Sequence, residues 1–262
     1  MMDFIEAIKS RRSVRTFDPK ILPQDVFFSL KEYCSKVPSP FEGSSSIELR
    51  RFDMQGAQHP GTYGTIYGAS DYFLVMADSD IYSLISAGFK GEKLVLRCAA
   101  AGLGTCWLSG TFRHSDFDVL SHDDDRKLIA IIAVGYPAAS GRLRERMTRF
   151  ALGSSRRRPF DSLFFESDFS TPLSSENRFS VALDMLRLAP SSVNSQPWRA
   201  LVCGNSVHFY YKGRSDINIL DCGIGISHFD EVLKQGGASG CYKRVSDAPV
   251  CEGLCYLISY FL

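Results

Sequence analysis

The stretch Gly88-Phe89-Lys90-Gly91-Glu92-Lys93-Leu94-Val95-Leu96-Arg97-Cys98-Ala99-Ala100-Ala101-Gly102, running on into Leu103-Gly104-Thr105-Cys106-Trp107, decides how this chain is read. From Phe89 to Ala101 it is a strong helix, with Leu94, Val95, Leu96, Cys98 and Ala99 as apolar positions and Gly102 as a natural left-handed stop. The same punctuation returns late in the chain. Gly223 and Gly237 are spaced as Gly88 and Gly102 are, Cys241 follows Gly223 as Cys106 follows Gly88, and Tyr242 falls where Trp107 does. A helix that runs into Val37-Pro38-Ser39 is matched by one that runs into Ala189-Pro190-Ser191, and each half closes on an apolar strand. Coincidences in register predict a degenerate duplication, and two copies are too few for a solenoid. The expected product is a fused pseudo-dimer, one chain imitating a two-fold homodimer.

Other elements fall on either side of this helix. Asp3 to Lys9 reads as a short helix capped by Asp3, and Pro23 begins a second that stops before Pro38-Ser39-Pro40. A loop rich in Gly and Ser follows. Tyr72–Ala77 and Leu128–Val134 read as buried strands, the latter ending at Gly135-Tyr136-Pro137. Residues 142–175 are polar, basic and without regular pattern, and read as a connector over the surface. A helix is expected from Glu176 to Leu188, a hairpin around Gly204-Asn205, a helix from His228 to Gln235 and a last strand from Leu254 to Phe261. These boundaries give a first half at 1–150, a connector at 151–175 and a second half at 176–262.

Composition excludes several classes of function. The chain has 262 residues, 45% of them hydrophobic, which is enough for a substantial core. A formal net charge of +1 gives no reason to expect nucleic acid. The longest apolar runs, Leu128–Val134 and Leu254–Leu262, are too short to span a bilayer, and the N-terminus lacks an apolar signal core, so a soluble cytoplasmic protein is expected. The eight cysteines form no Cys-x-x-Cys pair, so reduced thiols are expected and a zinc site is not. There is no Ser-His-Asp pattern or Walker loop. The five histidines stand apart as surface or core residues, and Asp123-Asp124-Asp125 reads as solvated rather than as a metal site.

Four segments carry chemistry. In Ser10-Arg11-Arg12-Ser13-Val14-Arg15, guanidiniums and a hydroxyl at a helix end can surround one phosphate, although a basic helix C-terminus is also favoured by the macrodipole. In Ala189-Pro190-Ser191-Ser192-Val193-Asn194-Ser195-Gln196-Pro197-Trp198, hydroxyls and amides are held between two prolines, which suits an uncharged hydrogen-bonding heterocycle better than a purely structural turn. Gly102-Leu103-Gly104-Thr105-Cys106-Trp107-Leu108-Ser109-Gly110 is not a dinucleotide fingerprint, since the third glycine is missing. It is a sharp helix end whose amides can approach a ligand, with Trp107 expected in the core. Arg156-Arg157-Arg158-Pro159 is a surface charge run or the other jaw of a phosphate clamp.

Together these segments resemble the nitroreductase family of FMN enzymes over nearly the whole chain, specifically a branch in which two degenerate halves are fused. The resemblance implies an α+β fold, nitroreductase-like, with a central mixed or antiparallel sheet flanked by helices in a single-chain pseudo-dimer. It assigns Arg11, Arg12, Ser13, Arg15, Arg156 and Arg158 to the phosphate and ribityl chain, the amides of Leu108, Ser109 and Gly110 to the flavin edge, and Ser191, Ser192, Asn194 and Gln196 to the second wall. In ordinary members the Ala-Pro-Ser-x-x-Asn-Ser-Gln-Pro-Trp loop lies near the N-terminus and serves the partner subunit's flavin. Here it lies in the second half, and only Val37-Pro38-Ser39-Pro40-Phe41 stands at the usual place. One FMN site is therefore expected to survive and its mirror image to be dead. The implied reaction is ping-pong electron transfer from NADH or NADPH through FMN to a small organic acceptor, with no catalytic side chain and no metal, in a monomeric pseudo-dimer or weak homodimer. A flavin carrier or sensor without turnover is the rival reading, and an unrelated α/β domain the second.

Overall fold

The computed structural model describes residues 3–52, 61–118, 125–139 and 156–262. His59, His122, Asp123, Asp124 and the arginines between 142 and 149 lie outside the described residues. Asp3 caps α1 (Phe4–Ser10) by accepting from the amides of Ile5 and Glu6. Then come α2 (Gln24–Lys36), β1 (Ser45–Arg51), β2 (Asp71–Ala77), α3 (Ile81–Ala100), β3 (Gly104–Leu108), α4 (His114–Asp118) and β4 (Lys127–Gly135). The remainder supplies β5 (Phe164–Glu166), β6 (Asp168–Pro172), α5 (Ser180–Arg187), β7 (Trp198–Cys203), β8 (Ser206–Tyr211), α6 (Asp216–Gln235), β9 (Cys241–Lys243) and β10 (Cys255–Phe261).

The strands form two sheets. The first, in the order β1-β2-β4-β3, is antiparallel throughout. The second, β6-β5-β7-β8-β10-β9, is antiparallel except where β5 runs parallel to β7. The protein is thus α+β, with one antiparallel and one mixed sheet and helices against them. The strand order of the first sheet recurs within the second as β7-β8-β10-β9. Strand alternation fixes what each face buries. Phe73, Val75 and Ala77 of β2 face the cluster under α2 and α3, while Tyr72, Leu74 and Met76 face a second cluster with Phe17, Phe112 and Phe117.

α3 and α6 are the centre of the molecule. They approach at two glycines. A Cβ on Gly88 would collide with the Leu220 carbonyl, and one on Gly223 would collide with the Ile85 carbonyl. Ile85 and Leu220, like Gly88 and Gly223, stand at one constant offset along the chain, so each contact is the mirror of the other. The two close approaches are therefore reciprocal.

Several elements differ from the sequence expectation. α3 begins at Ile81, two turns earlier than Phe89, behind an Asp80 cap. α6 begins at Asp216 rather than His228, behind a Ser215–Asn218 capping box. α5 is shorter than 176–188, because Ser174–Ser180 turn on themselves. The Gly/Ser-rich loop contains β1, and the turn after Gly102 is itself the strand β3. Within the expected connector, β5 and β6 pair into the second sheet, since Phe164 and Leu163 are fully buried and need a sheet to cover them.

Candidate functional site

A cavity of about 1030 Å³ lies where segments from both parts of the chain meet, a volume suited to a ligand of cofactor size. One wall is residues 11–15. Beyond α1 the backbone extends alongside β3, with Ser13 bridging to Thr105 and the Val14 amide donating to the Thr105 carbonyl at 2.9 Å. Extended backbone alternates, so Arg11, Ser13 and Arg15 line the cavity, while Val14 enters the core and Arg12 is left exposed. The Arg11 side chain is only 6% exposed, and its Nε lies 3.7 Å from Glu92 Oε1.

The turn at the end of β3 brings Leu108, Ser109 and Gly110 to the cavity, together with Trp107. Trp107 is thus a lining residue as well as a core residue. Its indole N–H donates to Glu92 Oε2 at 2.8 Å.

The opposite wall is the loop between the prolines. Ser191, Ser192 and Asn194 line the cavity, whereas Gln196 is buried behind it. Much of the loop's polar chemistry is turned on its own support. The Gln196 side chain accepts from the Arg158 amide at 2.8 Å, the Asn194 side chain donates to the Arg156 carbonyl at 2.9 Å, and the Gln196 amide donates to Ser191 Oγ at 3.0 Å. Arg156 and Arg158 are exposed and do not line the cavity. The middle arginine does. Arg157 donates to the Leu188 carbonyl at 3.0 Å and to Asn194 Oδ1 at 3.2 Å. Burial, and next the guanidiniums of Arg11 and Arg187, pull Arg157 down to about 10. Cations crowded in this way favour an anion among them.

These bonds hold a strained turn. Val193 (φ 46°, ψ 27°), Asn194 (φ 55°) and Gln196 (φ 49°) are all left-handed without being glycine. Such residues cost on the order of 1–3 kcal/mol each and persist only where their surroundings over-determine them. Val193 is β-branched and 81% exposed, so its side chain recovers almost nothing from packing. Val193→Gly is expected to raise stability by about 1 kcal/mol, since glycine adopts this conformation freely. A fall in melting temperature would show that valine is not strained there.

Asp221, on the second turn of α6, anchors the turn from below. It is 3% exposed, and both carboxylate oxygens lie 3.1 Å from the Ser192 amide, with Ser195 Oγ at 3.4 Å. Burial raises its carboxyl to about 7 against these two bonds. The two walls touch where Ser109 Oγ donates to Ser192 Oγ at 3.3 Å. Arg157, Trp107, Asp221 and Asn218 are lining residues that the sequence reading did not select.

The mirror position is different. At the offset that relates Gly88 to Gly223, the lining residues Trp107 and Ile224 correspond to Tyr242 and Phe89. There the buried ring of Phe41 lies 5.1 Å from the Tyr242 ring and 5.4 Å from Phe89. Among the described residues no group of three or more His, Cys, Asp or Glu is placed to hold a metal ion, and no helix is long and apolar enough to cross a membrane.

A family model described as "Putative TM nitroreductase" matches residues 3–232. The chain is similar to a crystal structure of a "putative nitroreductase" from Thermotoga maritima, with 22% identity and a TM-score of 0.62 over 99% of this chain and 92% of that one. Two nitroreductases with bound FMN resemble part of it. The one from Bacteroides fragilis has 19% identity and a TM-score of 0.42 over 53% of this chain and 91% of its own. The one from Desulfitobacterium hafniense has 15% identity and a TM-score of 0.42 over 53% of this chain and 92% of its own. No curated protein matches the sequence. With the family model spanning residues 3–232, the chain belongs to the nitroreductase family.

Proposed function

We propose that this protein is an FMN-dependent oxidoreductase that takes electrons from NADH or NADPH and passes them to a small organic acceptor, the two using the same cavity in turn. The observation that carries the reading is the cavity's polarity. Arg11, Ser13, Arg15 and Arg157 gather at its lining, with the Arg11 guanidinium close enough to help depress Arg157, and a rigid wall of small polar residues stands opposite. A phosphate on a flat, hydrogen-bonding heterocycle fits that pair of features. FMN, when bound, supplies hydride chemistry at its ring.

The chain's own part is to bind, orient and exclude water. Arg11, Ser13 and Arg15 are assigned to the phosphate and ribityl chain, and the amides of Leu108, Ser109 and Gly110 to the ring edge. Ser191 and Ser192 form the second wall, and Asn194 and Gln196 stiffen it through residues 156–158. Arg12, Arg156 and Arg158, away from the lining, are left as contributors to the positive field. The halves at 1–150 and 176–262 are read as a fused pseudo-dimer. The Phe41 ring between Tyr242 and Phe89 supports a single FMN site per chain.

The test is an absorbance spectrum of the purified protein, then anaerobic addition of NADH and of NADPH. One flavin per chain, bleached by at least one donor, is the expected result. A flavin ratio near two per chain would overturn the single site. Bands that persist with both donors would leave a flavin carrier or sensor, and no flavin after incubation with FMN would remove the reading.

A further inference from the structure

We propose that Glu92 is a positioning residue for the flavin site, holding the Trp107 indole and the Arg11 guanidinium in place from beneath the cavity. This rests on the FMN reading above. Glu92 lies in α3, is 0% exposed and does not itself line the cavity. Both its oxygens are engaged. Trp107 Nε1 donates to Oε2 at 2.8 Å, while His228 Nε2 lies 2.9 Å and Arg11 Nε 3.7 Å from Oε1. His228 comes from α6, is also 0% exposed, and is fixed at its other ring nitrogen by the Met185 carbonyl at 3.0 Å. One buried carboxylate therefore joins two lining residues to the central helix pair.

Each arm reaches a different part of the cavity. The Trp107 indole lies against the bare backbone of Gly91, where a Cβ would collide with its ring, so the Glu92 bond sets its remaining freedom. Trp107 immediately precedes Leu108, Ser109 and Gly110, the residues assigned to the ring edge. Arg11 opens the extended segment that carries Ser13 and Arg15.

The fold alone does not call for a charge here. Because a carbonyl only accepts, His228 Nδ1 carries a proton to Met185. A glutamine at 92 would then accept from Trp107 and donate to a bare His228 Nε2, leaving every group satisfied without burying an ion. What a glutamine would not supply is the negative charge beside the buried Arg11 guanidinium. The carboxylate is thus matched by Arg11 at the cavity wall and by His228, whose Nε2 must hold a proton to hydrogen-bond an ionised Oε1.

The experiment compares dissociation constants for FMN and riboflavin, which lacks the phosphate, in wild type, Glu92→Gln and Trp107→Phe. Glu92→Gln keeps the indole bond and releases Arg11, so FMN is expected to weaken about tenfold, the scale of one charge-assisted contact, while riboflavin is unchanged. Trp107→Phe keeps the packing and removes the donor, so FMN and riboflavin are expected to weaken together and the absorption bands of the bound flavin to shift. Lower melting temperatures with unchanged constants for both flavins would reduce Glu92 to a structural residue and overturn the proposal, as would tighter FMN binding by Glu92→Gln. Failure of the wild type to bind FMN would strike the functional reading instead. If Glu92→Gln does not fold, Trp107→Phe alone decides.

Discussion

Gly88→Ala is expected to destabilise the protein by about 3 kcal/mol, and Gly223→Ala to do the same from the other side of the same contact. On an exposed helix the change would be favourable by about 1 kcal/mol, because alanine is the better helix former. Here the new methyl group meets backbone and not a flexible side chain. The obstacle at Gly88 is the Leu220 carbonyl with the Ile224 amide behind it, and at Gly223 it is the Ile85 carbonyl. α3 and α6 must separate, and both are packed into their own sheets, so the displacement propagates into two cores. A melting temperature lower by roughly 10 °C is the expected readout for a chain of this size. The double variant should cost less than the two singles together, because one separation makes room for both methyl groups. A higher melting temperature in either single variant would mean that the helices are not in backbone contact at these positions.

These same glycines were the clearest signal in the sequence, although their role was not evident there. Gly88 and Gly223 open the two matching spacings, but nothing local shows that they face one another. Local signals revealed what local physics decides. The tail of α3 up to Gly102 (φ 75°), the hairpin at Gly204 and the Asp3 cap depend on neighbours within a few residues. Elements formed by tertiary burial were hidden. β1 has only Ile47 and Leu49 as buried residues, set among serines and charges, and becomes a strand because β2 offers it a partner. The first turns of α6 contain Asn218, Gly223 and Gly225, poor helix formers that are outweighed by burial on nearly every side.

The site was legible as residue types and less so as directions. Arg11, Ser13 and Arg15 reach the cavity together because extended backbone alternates, and the same alternation turns Arg12 away. In the run from 156 to 158 it is Arg157 that turns inward, with Arg156 and Arg158 outside. The polar loop at 189–198 suggested groups aimed at a ligand, and part of that polarity is spent in holding three left-handed residues. Glu92, His228 and Asp221 had no sequence signature. Each matters through partners far along the chain, brought close only by the packing of α3 on α6 and of α6 on the loop.

Asp221→Asn is expected to change how stability depends on pH, with the largest effect above neutrality. In the unfolded chain this carboxyl titrates near 3.8, while burial raises it to about 7 in the fold, against the opposing bonds from Ser192 and Ser195. Between those values the folded protein holds a proton that the unfolded chain has released. The contribution of this group is therefore fully present below about pH 4, declines as pH rises, and is lost once pH passes about 7. The accumulated loss is of order 4 kcal/mol at most, taking the whole shift at 1.36 kcal/mol per unit. Asparagine can still accept from the Ser192 amide and has no charge to bury. The variant should match wild type near pH 4 and exceed it by a few kcal/mol at pH 8, as measured by urea midpoints on flavin-free protein. The difference between the two curves isolates Asp221 from every other titrating group. If the curves run parallel from pH 5 to 8, the folded carboxylate is stabilised as well as the acid is, and the Ser192 amide then grips an ion at neutral pH. A growing gap means instead that the wall carrying Ser192, Val193 and Ser195 stands on a carboxyl that changes charge near neutrality, at the edge of the cavity lined by Arg11, Arg15 and Arg157.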